Sequence, residues 1–317
     1  MLSFLFSSFG RPARLLAICL FVVAASSAGL VRAAAGTQTS FASPEEGVSA
    51  LIAAVRAEGS DALVKVLSPQ GADLADSGDP VADEARRNKF TSAFDEAHEI
   101  NREDSSKAVL VIGKDQYPFP IPLVAKDGRW RWDTAAGLDE ILTRRIGENE
   151  LAAIEVMHAY VDAQREYAES DRDGRGIQYA RRLASREGHK DGLYWPASSD
   201  GDVSPLGPLV AQARSEGYRR SKGDKDPPAY HGYLYRILYA QGPNAAGGAQ
   251  DYIVKGRMIG GFALIATPAN YGNSGVMTFI VNQDGDVFQK DLGPETGVAA
   301  GIKTFDPDQS WRKVDAP

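Results

Sequence analysis

The spacing of apolar positions predicts helices in the first half of the chain. Ser43, Pro44 and Glu46 form a helix start, with a capping side chain, a proline at the first helical position and a capping box. Apolar side chains then recur on one face up to Gly59, which is typical of an amphipathic helix. The same periodicity predicts three more helices, a short one around Leu63, Val66 and Leu67, one over 81–98 and a long one over 138–170.

Runs of β-branched and alternating residues predict strands between and after these helices. Residues 107–112 are a β-branched run, and 129–133 alternate after an Asp-Gly turn. Residues 117–124 place proline at every second position, and proline cannot donate to a ladder, so we expect an edge strand or extended chain there. The last third is predicted to be β, with strands over 233–239, 261–267, 276–282 and 287–292.

This order of elements predicts an α+β fold in two domains. In the first, 43–135, helices precede a small antiparallel sheet, an arrangement that resembles the cystatin or NTF2-like class. In the second, 138–317, the long helix packs on a C-terminal antiparallel sheet. Between helix and sheet, 188–228 is rich in turn residues and holds a short helix near 206–216. The predicted buried face of the long helix contains Leu151, Ile154, Met157, Tyr160, Val161, Gln164 and Tyr167.

Residues 1–35 have the pattern of a secretory signal peptide. Arg11 and Arg14 precede an apolar run over 15–23, and small side chains then fit a cleavage site near Ala33 to Ala35. We therefore expect a periplasmic or secreted protein. The alternative is an uncleaved membrane anchor, but the strongly apolar part is shorter than the roughly 20 residues that a span needs. No membrane span is expected after cleavage.

Composition and charge narrow the possible partners. The chain has 317 residues, of which 43% are hydrophobic and 24% charged, so it folds and is not disordered. Its net charge is −7, and it becomes −10 once the three arginines of the signal segment are removed, so we expect no nucleic-acid partner. The single cysteine, Cys19, lies in the apolar run, where the bulky Ile18 before it argues against lipidation. The mature chain is therefore cysteine-free and has no disulfide scaffold.

Several short blocks of sequence carry a family resemblance over nearly the whole mature chain. Together they resemble the exported bacterial proteins of the domain of unknown function 2950 family. That resemblance implies no activity, substrate, cofactor or catalytic residue. The blocks are 119–124 with 130–133, 145–151, 191–196, 231–233, 260–264, 271–279, 289–293 and 305–308.

The C-terminal half is also similar to the globular part of type IV pilin-like and pseudopilin-like domains. The likeness is in the order of elements, a long helix with Ala163 and Gln164, a variable loop, and then strands that open at Gly232 and Gly275. Pilins use an apolar N-terminal helix to build the fibre. Here the equivalent helix begins with the polar run 148–150 and follows another domain. The chain therefore differs from pilins in the segment on which fibre assembly depends.

Candidate metal and catalytic residues are few. Asp171, Asp173 and Gly176 partly match a calcium loop, but Arg175 stands where an oxygen ligand is expected, and a solvated loop is the alternative. No H-E-x-x-H pair joins the four histidines, and no G-x-S-x-G elbow is present, so no cofactor is expected. The histidines are His98, His158, His189 and His231.

Aromatic residues near loops and strand ends are the strongest candidates for binding. A flat face with a polar tip suits a glycan or a protein partner, although most aromatics of a small β-layer belong to its core. The candidate binding residues are Tyr194, Trp195, Tyr230, His231, Tyr233 and Tyr271.

Three functional hypotheses follow. The first is a non-catalytic, exported binding or envelope-associated module whose partner is an envelope protein or a glycan. The second is a hydrolase of an envelope substrate that uses loop residues around His189, His231 and Asp191. The third is a ligand-binding cone in the N-terminal half, around Phe119 and its two tryptophan neighbours Trp130 and Trp132.

Overall fold

The computed structural model describes residues 38–57, 59–198, 202–219 and 228–314. The predicted signal peptide, its cleavage site and Cys19 lie outside these residues. Within the described ranges, the chain combines helices with antiparallel sheets, and this confirms the predicted α+β class. Within the same ranges, no helix combines the length and the apolar character that crossing a membrane requires.

The first helix starts as the capping pattern predicts. The Ser43 hydroxyl accepts a hydrogen bond from the Glu46 backbone N–H at 3.2 Å, and the Glu46 carboxylate accepts one from the Ala42 N–H at 2.9 Å. A single 3₁₀ turn, Pro69–Gly71, separates the second helix from the third. The helices are α1 Pro44–Arg56, α2 Asp61–Leu67, α3 Ala72–Ala75 and α4 Pro80–Glu96.

An antiparallel sheet follows these helices, in the order β1-β2-β4-β5, with β3 also paired to β2. The proline run does not form a continuous strand: only its two ends pair, because the prolines between them have no N–H to donate. The sequence did not predict β1, in which Ile100 is the only apolar residue. The strands are β1 His98–Arg102, β2 Lys107–Ile112, β3 Tyr117–Pro118, β4 Leu123–Lys126 and β5 Arg129–Trp132.

The long helix, α5, spans Thr134–Tyr167 and is about 50 Å long at 1.5 Å per residue. Tyr160 and Tyr167 on its predicted buried face are buried, whereas Leu151 is 66% exposed. The buried side of α5 shifts around the helix axis along its length, so the buried face of the later residues does not extend to Leu151. One row recurs every four residues, Ile141, Arg145, Asn149, Ala153 and Met157.

The C-terminal half is a five-stranded antiparallel sheet in the order β14-β13-β12-β11-β6, and α5 packs against β11, β12 and β13. The Asp284-Gly285 hairpin joins β12 to β13, as predicted. Two further ribbons, β7 with β8 and β9 with β10, were not predicted. The elements are α6 Gly207–Ser215, β6 Tyr233–Leu238, β7 Ala240–Gln241, β8 Gln250–Asp251, β9 Ile253–Val254, β10 Arg257–Met258, β11 Ala263–Pro268, β12 Met277–Asn282, β13 Val287–Asp291, α7 Thr296–Gly301 and β14 Arg312–Lys313.

Two hydrophobic cores lie along α5. The first contains Leu51, Leu110 and Trp132, and Ile141 of α5 packs against it. The second contains residues of the C-terminal sheet together with Met157 and later residues of α5. Helix α5 therefore contributes side chains to both cores.

Between the two cores, the row on α5 becomes polar at Arg145 and Asn149, which are both buried. The Arg145 guanidinium donates to the carbonyls of Asp73, at 2.7 Å, and Leu74, at 3.0 Å, and also to the Asn273 side-chain oxygen. Asn149 donates to the Ser274 carbonyl at 2.8 Å. Two buried residues of one helix thus connect the segment after α2 with the loop before β12.

A buried carboxylate, that of Asp79, adds to the contacts between the two halves of the chain. Asp79 is fully buried and accepts hydrogen bonds from the Tyr218 hydroxyl and the Gly232 N–H, each at 2.8 Å. Gly232 has a φ of +73°, and a Cβ there would collide with the Asn149 side chain. Glycine is therefore required where β6 begins.

The glycines of α5 provide a test of how tightly the helix packs on the first sheet. A Cβ at Gly137 would lie 2.6 Å from the Ile121 nitrogen, whereas a Cβ at Gly147 would meet no atom of the described residues within 4 Å. We expect Gly137→Ala to lower the free energy of unfolding by about 1–3 kcal/mol through overpacking. Gly147→Ala should raise it by about 0.5–1 kcal/mol, because alanine favours the helix. Urea unfolding measures both, and equal effects would contradict this packing.

The buried guanidinium provides a second test. Arg145→Met would leave the carbonyls of Asp73 and Leu74 and the side chain of Asn273 without their donor, so we expect a loss of about 3 kcal/mol in the free energy of unfolding. The neighbouring Arg144 is half exposed and pairs with Glu140, so Arg144→Met should cost less than about 1 kcal/mol. If the two variants unfolded at the same urea concentration, Arg145 would not hold the junction.

Candidate functional site

The segment 171–195 after α5, here called the arginine loop, folds back on itself as an irregular hairpin. The Leu193 N–H donates to the Arg182 carbonyl at 3.0 Å, and the Ser185 N–H donates to the Tyr194 carbonyl at 2.8 Å. Gly192 allows the two arms to approach, since a Cβ there would lie 2.7 Å from the Ser185 nitrogen. At its base, the Gln164 amide of α5 bonds both the N–H and the carbonyl of Ala180.

The arginine loop encloses most of a polar cavity of about 580 Å³, here called the arginine cavity. Its lining includes four arginines, two aspartates and one histidine, so its charge is positive although the chain is acidic overall. The lining residues are Tyr167, Asp173, Arg175, Gln178, Arg181, Arg182, Arg186, His189, Asp191 and Tyr239.

The two aspartates of the cavity already have partners. The Gln178 amide nitrogen donates to both oxygens of Asp173 at 3.0 Å. The backbone and the guanidinium of Arg186 donate to Asp191 at 2.9 and 2.7 Å, and Arg182 lies 3.4 Å from it. Burial alone would raise the pKa of Asp191, but these hydrogen bonds and charges outweigh it and hold the pKa below its ordinary value.

Of the four arginines, Arg182 and Arg186 both approach Asp191, whereas Arg175 and Arg181 form no ion pair with a described residue. Within the described part of the chain, the Arg175 guanidinium makes no hydrogen bond or ion pair; only its backbone N–H is engaged, with Asp171 and Asp173. The Arg181 guanidinium donates to the Gly256 carbonyl at 3.3 Å. Guanidinium groups bind carboxylates and phosphates in a bidentate manner, so the cavity suits an anionic ligand.

Two tyrosines set the edges of the cavity. The Tyr167 hydroxyl donates to the Lys190 carbonyl at 2.6 Å, and burial raises the pKa of this tyrosine, so it remains a neutral donor. The Tyr239 hydroxyl donates to the Arg181 carbonyl at 3.1 Å, and its side chain is 44% exposed. Tyr239 therefore offers a ring face beside the arginines.

Two of the predicted binding residues lie at the far end of the arginine loop. Trp195 is buried, and its indole N–H donates to Asp202 at 3.0 Å, while the Lys190 ammonium lies 5.3 Å from its ring. The Tyr194 ring lies 5.3 Å from the Arg214 guanidinium and lines a separate cavity of about 250 Å³. Hydrogen bonds from Lys190 and Ser198 hold the pKa of Asp202 well below its usual range.

Three more predicted residues lie near the start of β6. The rings of Tyr230 and His231 are 4.2 Å apart, and the His231 Nε2 lies 3.3 Å from Glu216. Burial raises the pKa of Tyr230 to about 12. Tyr233 is fully buried in the second core and donates to the Met277 carbonyl at 3.0 Å. His231 does not line the arginine cavity, so the structure separates it from His189 and Asp191, which do.

Tyr271 lies at a third place. Its hydroxyl donates to Asp291 at 2.9 Å, and it lines a cavity of about 540 Å³ between the C-terminal sheet and the segment around α7. The six predicted binding residues are therefore not brought together in one site. Their role in binding stays a prediction.

The predicted calcium ligands lie at the start of the arginine loop. Asp171 and Asp173 both accept hydrogen bonds from the Arg175 N–H, at 3.0 and 3.2 Å. Among the residues that the structure describes, no group of three or more His, Cys, Asp or Glu side chains is placed to hold a metal ion. The three aromatics of the predicted cone, Phe119 and the two tryptophans, pack within the first core.

Sequence reasoning missed the arginines, although a signal for them exists. Five arginines occur within residues 172–186 of a chain that is acidic overall. The irregular spacing hides them from any test of helix or strand periodicity. A local charge profile reveals them, because it needs no assumption about secondary structure.

Comparison with known proteins identifies a family and no individual relative. A family model described as "Protein of unknown function (DUF2950)" matches residues 38–314. No curated protein and no solved structure matches the chain. The match covers both halves, and the cystatin, NTF2-like and pilin-like resemblances stay predictions.

The low pKa of Asp191 predicts how pH affects stability. A carboxyl whose pKa is lowered by folding stabilises the protein above its unfolded pKa of about 3.9, and this stabilisation is lost as pH falls through the folded pKa. We expect Asp191→Asn to unfold more easily than the wild type at about pH 6, with the difference shrinking below about pH 4. Urea unfolding across pH tests this, with Asp139→Asn on the exposed face of α5 as control. A constant difference at all pH values would contradict it.

Proposed function

Since this chain belongs to the DUF2950 family of proteins of unknown function, we propose a function from its own residues: it is an exported, non-catalytic binding module that holds an anionic ligand in the arginine cavity. The arrangement of four guanidinium groups around one cavity carries the proposal. An acidic chain that concentrates arginines at one place creates a local potential opposite to its overall charge, and this attracts anions.

The state of the two carboxylates supports binding of an anion. Asp173 accepts hydrogen bonds from Gln178, and Asp191 accepts them from Arg186. The two carboxylates therefore do not occupy all four guanidinium groups of the cavity. The guanidinium of Arg175 is exposed at the cavity. A ligand carboxylate or phosphate there gains charge-assisted hydrogen bonds without breaking an ion pair within the described residues.

The same chemistry favours binding over hydrolysis. A general base works best with a pKa near the working pH, and the ion pair with Arg186 moves Asp191 away from that range. His189 lines the cavity, but the second histidine of the hydrolase hypothesis, His231, pairs with Glu216 elsewhere. The groups required for acid–base chemistry are thus divided between two places.

The location is proposed from the first 35 residues. Their basic start, apolar run and small-residue cleavage pattern support export of the mature chain to the periplasm or out of the cell. An anionic component of the cell envelope, either a glycan or an acidic protein surface, would then be the partner.

Titration calorimetry with citrate as the anion tests the proposed site. We expect citrate to bind, and Arg175→Gln to weaken binding about tenfold or more, since a hydrogen bond to a charged group is worth about 1.5–3 kcal/mol. The fold should be unaffected, because the Arg175 side chain has no partner among the described residues. Arg131→Gln, at an exposed position of β5, is the matched control.

Two results would contradict the proposed anion site. Citrate binding that Arg175→Gln and Arg131→Gln reduce by the same factor would reflect overall charge and not a site. Absence of binding by any small anion at low salt would also contradict an anion-binding cavity.

A further inference from the structure

A second cavity lies next to the arginine cavity, on the other side of the same residues. Its volume is about 530 Å³, and it shares Arg181, Arg182 and Tyr239 with the first. These three residues therefore separate the two cavities, and they are here called the arginine ridge. Beyond the ridge, Arg236 and Lys303 add two more cationic side chains.

The backbone of the arginine ridge is fixed while its side chains remain accessible. The Arg181 carbonyl accepts from the Tyr239 hydroxyl at 3.1 Å, and the Arg182 carbonyl accepts from the Leu193 N–H at 3.0 Å. The Arg182 side chain is nevertheless 53% exposed, and that of Tyr239 is 44% exposed. The ridge thus offers two guanidinium groups and one aromatic ring on a backbone that hydrogen bonds hold in place.

Among the described residues, the lining of the second cavity contains cationic side chains and no carboxylate. The Arg236 guanidinium donates to the Ile302 carbonyl at 2.8 Å, and the Lys303 ammonium donates to the Ala300 carbonyl at 2.8 Å. Both bonds are made to neutral carbonyls, so neither bond neutralises the positive charge. Cationic side chains therefore continue across the ridge from Arg175 to Lys303.

We propose that the ligand is a linear acidic polysaccharide that lies across the arginine ridge, with anionic groups in both cavities and one sugar ring on the face of Tyr239. This inference rests on the proposed function and names its ligand class. A compact anion occupies one cavity and leaves the cations of the other unused. A chain of sugar carboxylates presents repeated negative charges that reach both cavities, and its rings match an exposed aromatic side chain.

Chain length is the property that tests this ligand class. We expect hexagalacturonate to bind the mature protein about tenfold or more tightly than monogalacturonate, because linked groups engage both cavities at once. Neutral maltohexaose should not bind. Titration calorimetry at one fixed salt concentration compares the three sugars.

Variants on the far side of the ridge separate the two cavities. We expect Lys303→Gln to weaken hexagalacturonate binding severalfold and to leave monogalacturonate binding unchanged. Lys126→Gln, at an exposed position of β4, is the matched control and should change neither. Tyr239→Phe keeps the ring and loses the hydroxyl bond to the Arg181 carbonyl, whereas Tyr239→Leu loses both, so Tyr239→Leu should weaken binding of the hexamer more than Tyr239→Phe does.

The outcomes distinguish this inference from the proposed function. If the hexamer binds no more tightly than the monomer and Lys303→Gln has no effect, the proposed polysaccharide ligand is wrong. Citrate binding that depends on Arg175 would still support the anion site. Equal affinity for a thymidylate oligomer of six phosphates would indicate recognition of charge alone and would overturn the sugar class. If no anion binds, both proposals fail.

Discussion

The fold depends on one buried guanidinium, that of Arg145. Its hydrogen bonds reach the chain after α2 and the loop before β12, and no apolar side chain could satisfy those groups. A buried charge is expensive unless hydrogen bonds compensate it, and burial already lowers the pKa of this arginine. The segments that contact Arg145 are therefore restricted to one mutual arrangement. Hydrophobic packing alone would specify that arrangement less strictly.

The same helix, α5, also holds the arginine loop of the candidate site in place. Four residues after Asn149, at Ala153, α5 enters the second core, and its last turns hold the arginine loop through Gln164 and Tyr167. The loop has little regular secondary structure, yet its base and its arms are both bonded to fixed groups. Its arginines are thus presented by a rigid support, and this reduces the entropy that a ligand must overcome.

The sequence predicted those elements whose pattern is periodic and local. The capping box at Ser43, the long helix and the Asp284-Gly285 hairpin all have such patterns. Strand β1 was missed because its partner β2, and not its own polar residues, makes it a strand. The arginine cavity was missed for a similar reason, since residues as distant as Arg175 and Tyr239 meet only once the loop folds back on β6.

The backbone bonding of the arginine loop also affects its exposure to proteases. Every arginine is a cleavage point for trypsin-like enzymes, which need the chain extended and its carbonyl free. In the folded loop, the carbonyls of Arg181, Arg182 and Arg186 each accept a hydrogen bond, from Tyr239, Leu193 and His189. The loop can thus display a dense run of basic residues without presenting these three bonds as substrates.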